Sequence, residues 1–195
     1  MQVSSKLEAE GQQVAVILGN GKYDQKVLRA VAPKFNGKDI NLAITSVPLP
    51  VKRGLSALEG LISLLDLEYR VEKALYLVDK EHVASIEEIK ERLRFHGCDV
   101  ESSKKSLNDK AAIFDFTRGS RRVKLYAAIA GTTKSIDEEM TCLARKVYGK
   151  QFELSEVKGI NLRRLMRKVN KKTIRAALKG LGFILQSIEG ESSRG

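Results

Sequence analysis

The chain has no tryptophan, three prolines and two cysteines in 195 residues. Cys98 and Cys142 stand 44 positions apart with no CxxC pair, which excludes a zinc finger and a disulfide framework. Two isolated thiols suit a reducing compartment. No apolar run approaches the roughly 18–20 residues that cross a bilayer, so no membrane partner is expected. The opening segment MQVSSKLEAEGQQ lacks the apolar centre of a secretory leader. These absences together predict a soluble, cytoplasmic protein. Its apolar content of 43% is enough to build a core without disulfides or a structural metal.

Acidic charge is scarce in one half only. Residues 1–109 hold 16 Lys/Arg and 16 Asp/Glu, whereas residues 110–195 hold 19 Lys/Arg and 8 Asp/Glu. The entire net charge of +11 therefore lies in the last 86 residues. Such asymmetry suggests a neutral scaffold (1–109) followed by a basic working surface (110–195), packed together.

Hydrophobic patterning supplies the scaffold. QVAVIL (13–18) and ALYLV (74–78) are short apolar runs of buried-strand type, and DINLAITSV (39–47) is a third, closed by a Pro48–Pro50 turn. Between them Asp24 can cap a helix over QKVLRAVAPKF. GLSALEGLISLLDLEYR places Leu55, Leu58, Leu61, Ile62 and Leu65 on one helical face. SIEEIKERLRFHG opens on Ser85 with Glu88 three places on, a capping box, and stops at Gly97. Strand and helix alternate three times, which predicts an α/β fold of βαβαβα type with a mainly parallel sheet.

Beyond residue 109 the pattern changes. Ala111–Phe116 and Val123–Ala130 form a hairpin around TRGS. Helices are expected over Ser135–Tyr148 and Asn161–Val169. A last one, capped by Asn170, is expected to stop at Gly180 or Gly182.

Asp79 and Glu81 follow the ALYLV strand, at the end where open parallel sheets place ligands. If the strand runs through both, their carboxylates share one side, and hard oxygen ligands so placed can hold Mg²⁺. The order VAVILGNGKYDQKVLRAVAPKF, strand, amphipathic helix, ALYLVDKEHV resembles the Toprim-like α/β domain of topoisomerases, primases and small nucleases, over about residues 12–103. The resemblance implies metal-dependent phosphodiester chemistry, in which a DxD-type pair works with a glutamate at the end of the first strand. Here the pair is Asp79 and Glu81, and the glutamate's place is taken by Leu18 and Gly19, so the site is degenerate. Asp24 and His82 are the nearest candidates to complete it.

GNGKYD (19–24) lacks the third glycine of a dinucleotide-binding turn, so a tight turn is the expectation. His96 falls in the last turn of its helix, where a cation suits the dipole. The basic segment is richer. INLRRLMRKVNKKTIRAALKG carries Arg163, Arg164, Arg167, Lys168, Lys171, Lys172, Arg175 and Lys179 within 17 positions. Leu162, Leu165, Met166, Val169, Ile174 and Leu178 are spaced to face inward, leaving the cations as an outer stripe. No acid lies between Glu156 and Glu189 to neutralise the stripe locally, and the hairpin adds Arg118, Arg121, Arg122 and Lys124.

These features predict a nucleic-acid-binding protein, of DNA or RNA, that grips phosphates through basic helices on a degenerate Toprim-like scaffold. One alternative is an active Mg²⁺-dependent nuclease or phosphotransferase using Asp79 and Glu81. Another is an adaptor whose basic face binds an acidic protein.

Overall fold

The computed structural model describes residues 1–5, 12–19, 21–37, 39–44, 53–67, 70–105, 109–149 and 151–192, with the backbone alone at 102–105 and 192. Seven strands form one sheet: β1 (Gln2–Ser4), β2 (Gln12–Leu18), β3 (Ile40–Ile44), β4 (Lys73–Asp79), β5 (Asp99–Lys105), β6 (Ala111–Arg118) and β7 (Arg121–Ala130). Their order is β1-β3-β2-β4-β7-β6-β5. The pairings from β1 to β7 are parallel, and those joining β7, β6 and β5 are antiparallel. The protein is thus an α/β fold on a mostly parallel mixed sheet.

β2, β3 and β4 are apolar at nearly every position because both faces of the sheet are covered. α1 (Lys22–Val31), α4 (Ile136–Tyr148), α5 (Leu154–Val157), α6 (Leu162–Arg167), α7 (Lys171–Ala177) and α8 (Lys179–Ser192) share one apolar core with one face. α2 (Leu58–Asp66) and α3 (Ile86–Phe95) share a second core with the other. Among the described residues, no helix is long and apolar enough to cross a membrane.

The hairpin does not hang off the sheet. β7 pairs with β4 over seven residues, from Lys73↔Lys124 to Asp79↔Ala130, and so lies at the sheet's centre. Its turn is tighter than TRGS suggests. Gly119 and Ser120 alone connect the Arg118↔Arg121 pair, with φ +60° at Gly119, the pattern of a type II′ turn.

Four expectations need correction. β1 and β5 carry polar edge sequences, QVS and DVESSKK, with no apolar alternation to announce them. α1 begins at Lys22 with Gly21 as its cap, so Asp24 sits inside the first turn and is buried. β4 ends at Asp79, and Lys80–His82 is a single 3-10 turn, so Glu81 is no longer on the strand. The fourth concerns Gly180 and Gly182, which do not end a helix; α8 runs through both to Ser192. The Pro48–Pro50 turn lies outside the described residues.

Gly180 and Gly182 are there for proximity. A Cβ at Gly180 would stand 2.7 Å from the Lys110 carbonyl and 2.8 Å from that of Ile129. At Gly182 it would stand 2.8 Å from Arg175 Cα. Both obstacles are backbone, which cannot swing away. Gly180→Ala is therefore expected to destabilise the fold by about 2 kcal/mol, the overpacking cost exceeding alanine's helix preference of about 1 kcal/mol. Urea unfolding measures this, and a more stable variant would refute the close-approach account.

Candidate nucleic-acid interface and carboxyl edge

In the order β3-β2-β4-β7, the connections pass to opposite sides of β2, to β3 on one side and to β4 on the other, which makes the gap between β2 and β4 the position where open α/β sheets hold ligands beyond the strand ends. Gly19 follows β2 there. A Cβ on it would lie 2.8 Å from Val78 Cγ2 and 3.2 Å from Val78 Cα, so a glutamate side chain has no room. The Gly54 N–H donates to the Gly19 carbonyl at 2.7 Å, and the Tyr76 hydroxyl donates to the Gly54 carbonyl at 2.7 Å. His82 packs on Gly54, whose own Cβ would fall 2.8 Å from that of His82. His82 thus helps seat the segment that precedes α2.

Asp79 is 2% exposed, and its Oδ1 accepts the Ile136 N–H at 3.0 Å. It holds the first turn of α4, where four backbone donors lack helical partners and the dipole favours an anion. Glu81 is exposed, anchored through its backbone N–H to the Lys134 carbonyl at 2.9 Å, with Oε1 3.7 Å from His82 Nε2. Both acids line a cleft of about 300 Å³ with Lys134 and Ser135 of the β7–α4 connection, Asp137 in the first turn of α4, and Leu154, Ser155 and Lys158 at α5. Lys158 pairs with Asp137 at 3.1 Å. Burial, and then Asp137 and Asp24, push the Tyr23 phenol well above its ordinary range. Among the described residues, no three carboxylate, imidazole or thiol groups are placed to hold a metal ion. The residues at this edge therefore do not fit the three-carboxylate centre that the Toprim resemblance implies.

The β7–α4 loop holds a feature that sequence reasoning missed. Ser135 and Glu138 have capping-box spacing, but Glu138 reaches further back. Its carboxylate accepts the N–H groups of Thr132 (2.6 Å), Thr133 (2.9 Å) and Lys134 (3.2 Å), and the Thr133 hydroxyl (2.5 Å). Although partial burial opposes it, these donors hold the carboxyl at about 2, below its ordinary 4.5. A depressed carboxylate pKa stabilises the fold above the unfolded value and loses that contribution as pH falls through the folded one. Wild type is thus expected to lose about 1 kcal/mol relative to Glu138→Gln between pH 5 and 2, the full shift being discounted for solvent screening. Urea midpoints of the two proteins across that range test it; parallel curves would contradict it.

The twelve basic candidates divide into two groups. The hairpin cations are committed within the molecule. Arg118 forms a two-point pair with Asp66 (2.8 and 2.9 Å) and also reaches the His96 carbonyl. Arg121 donates to the Leu65 carbonyl, and Arg122 meets Glu101 at 3.3 Å. Lys124 meets Glu191 at 3.0 Å, and Glu191 also takes Lys73 at 3.2 Å and the Tyr126 hydroxyl at 2.6 Å. Of the helical set, Lys171 pairs with Glu189, which is itself buried and accepts the Asn36 N–H at 2.7 Å. The expectation that no acid neutralises this region therefore needs correction. The far end of α8 folds back and supplies Glu189 and Glu191, a long-range contact that local spacing does not reveal.

The other seven, Arg163, Arg164, Arg167, Lys168, Lys172, Arg175 and Lys179, are all exposed. Among the described residues, none of them is in an ion pair. Beneath them Leu165, Met166, Val169, Ile174 and Leu178 are buried, as their spacing requires, and Leu162 is partly so. The Asn161 and Asn170 side chains cap α6 and α7, accepting the N–H groups of Arg164 (3.0 Å) and Thr173 (2.9 Å). Lys168 lies 4.8 Å over the Tyr148 ring. The charges are therefore carried on a fixed backbone. Comparison with protein families, curated proteins and solved structures finds no significant match to this chain.

Proposed function

We propose that the protein binds nucleic acid through the α6–α7 face, gripping the phosphate backbone on a Toprim-like scaffold whose metal centre is incomplete. One observation carries this reading: seven exposed cations, five on the capped helices α6 and α7, with Lys168 at the end of α6 and Lys179 at the start of α8, and no carboxylate paired to them among the described residues. A solvated surface normally intersperses charges of both signs; a one-sign field of this kind attracts a polyanion. The hairpin cations are left out of the interface, since Asp66, Glu101 and Glu191 hold three of them and the Leu65 carbonyl the fourth. The Toprim-like description rests on the resemblance in element order and in the place of Asp79 after β4, within a mostly parallel α/β sheet.

Fluorescence anisotropy with labelled DNA and RNA of mixed sequence, in low salt with EDTA, tests the reading. Binding without divalent cations, and without cleavage, is expected. Mg²⁺-dependent cleavage lost in Glu81→Ala would favour the nuclease alternative. Absence of any binding, with capture of poly-glutamate instead, would favour the acidic-protein adaptor.

A further inference from the structure

Resting on that reading, we infer that the α6–α7 face takes a double-stranded nucleic acid, DNA or RNA, in preference to a single strand. Binding of single strands without sequence preference depends on open aromatic rings, on which successive bases stack. The rings adjoining this face are closed. Phe35 and Phe152 are buried, and Phe183 is packed against the core. Lys168 covers Tyr148, whose ring also lies 5.8 Å from that of Phe152. Tyr23 is part-buried beneath Lys158 at 5.9 Å. Among the described residues the exposed aromatic ring is Phe95, at the end of α3, which packs on the opposite face of the sheet.

The cations themselves suit a regular backbone. Lys172 and Arg175 stand at i and i+3 on α7, with exposed Ala176 beside them, and Lys179 opens α8 beyond the helix break at Leu178 (φ −98°, ψ 69°). Arg163, Arg164, Arg167 and Lys168 form a second set on α6 and its C-cap, joined to the first by the short turn 168–170. Buried apolar residues under both helices hold the two sets in place. A duplex presents phosphates at fixed intervals to such an array, while a single strand must first be ordered to match it. The side-chain oxygens of Asn161 and Asn170 are used as caps of α6 and α7.

Anisotropy at 0.1 M salt with a 20-base-pair DNA duplex, the equivalent RNA duplex, their separated strands and oligo(dT) tests the inference. At least one duplex is expected to bind tenfold or more tightly than oligo(dT) and either of its own strands. The two duplex arms show whether DNA or RNA is preferred. Phe95→Ala is expected to leave duplex affinity within twofold. Oligo(dT) binding as tightly as the duplexes would overturn the inference and leave the nucleic-acid reading standing. Failure of every nucleic acid to bind would overturn both.

Discussion

Replacing Arg164, Arg167 and Arg175 together by alanine is expected to weaken nucleic-acid binding about 1,000-fold at 0.1 M salt. Each cation that neutralises a phosphate releases a counterion, and for duplex DNA log Kobs then changes by about 0.9 per tenfold change in salt. At 0.1 M, one decade below the 1 M reference, each contact is therefore worth about tenfold. The fold should be indifferent to the change. All three side chains are exposed and, among the described residues, in no ion pair. The Asn161 cap is made to the backbone of Arg164 and survives. Alanine also favours a helix at least as well as arginine. The thermal midpoint is expected to move by no more than about 2 °C. As a contrast, Arg118→Ala should leave affinity within about threefold, because that guanidinium already faces Asp66 and the His96 carbonyl. A hairpin variant that weakens binding as much as the helical one would show that the interface is wrongly placed.

Asp79→Ala is expected to cost about 3 kcal/mol and lower the melting temperature by about 6–12 °C, whereas Glu81→Ala should stay within about 0.5 kcal/mol. The two acids have the same sequence prominence and opposite structural roles. Asp79 is buried at the end of the central strand β4, with its charge against the first turn of α4. Alanine there leaves the Ile136 N–H without its acceptor and removes the anion from the helix's positive end. Glu81 is held by its backbone, which the substitution leaves intact. Asp79→Asn should fall between, keeping an acceptor oxygen without the charge. Thermal unfolding of the three variants decides the matter, and equal destabilisation by Asp79→Ala and Glu81→Ala would sink the capping role.

How much of this was legible in the sequence follows from the range of each interaction. β2, β3, β4 and the helices α1–α3 announce themselves because burial on two faces, or along one stripe, imposes a local pattern. The hairpin was legible for the same reason, but its place between β4 and the sheet edge was not, since turn residues fix only the pairing of neighbours. α8 was missed because Gly180 and Gly182 look like stop signals. Their reason for being glycine is the backbone of Lys110, Ile129 and Arg175, which is remote in sequence or set by the turn between helices. Around the candidate site, the exposed positions of the seven helical cations follow directly from the spacing of Leu165, Met166, Val169, Ile174 and Leu178. The silencing of Arg118, Arg122 and Lys124 by Asp66, Glu101 and Glu191 spans 52, 21 and 67 residues, beyond any local motif.

The acidic DKE segment shows the same division. Its position at the carboxyl end of a central strand was readable, as was the lack of a first-strand glutamate. That Gly19 has no space for one, and that Asp79 is engaged by α4, required the packing of Val78 and the approach of a helix from the chain's other half.

The salt dependence of duplex binding by the wild-type protein tests the central claim most directly. If the seven exposed cations engage phosphates, a plot of log Kobs against log salt for duplex DNA, taken in EDTA between about 0.05 and 0.3 M, should be linear with a slope of about −6. The Arg164, Arg167 and Arg175 triple variant should lose about 3 units of that slope. A wild-type slope flatter than about −2, or an unchanged slope in the triple variant, would contradict a phosphate-gripping role for α6 and α7.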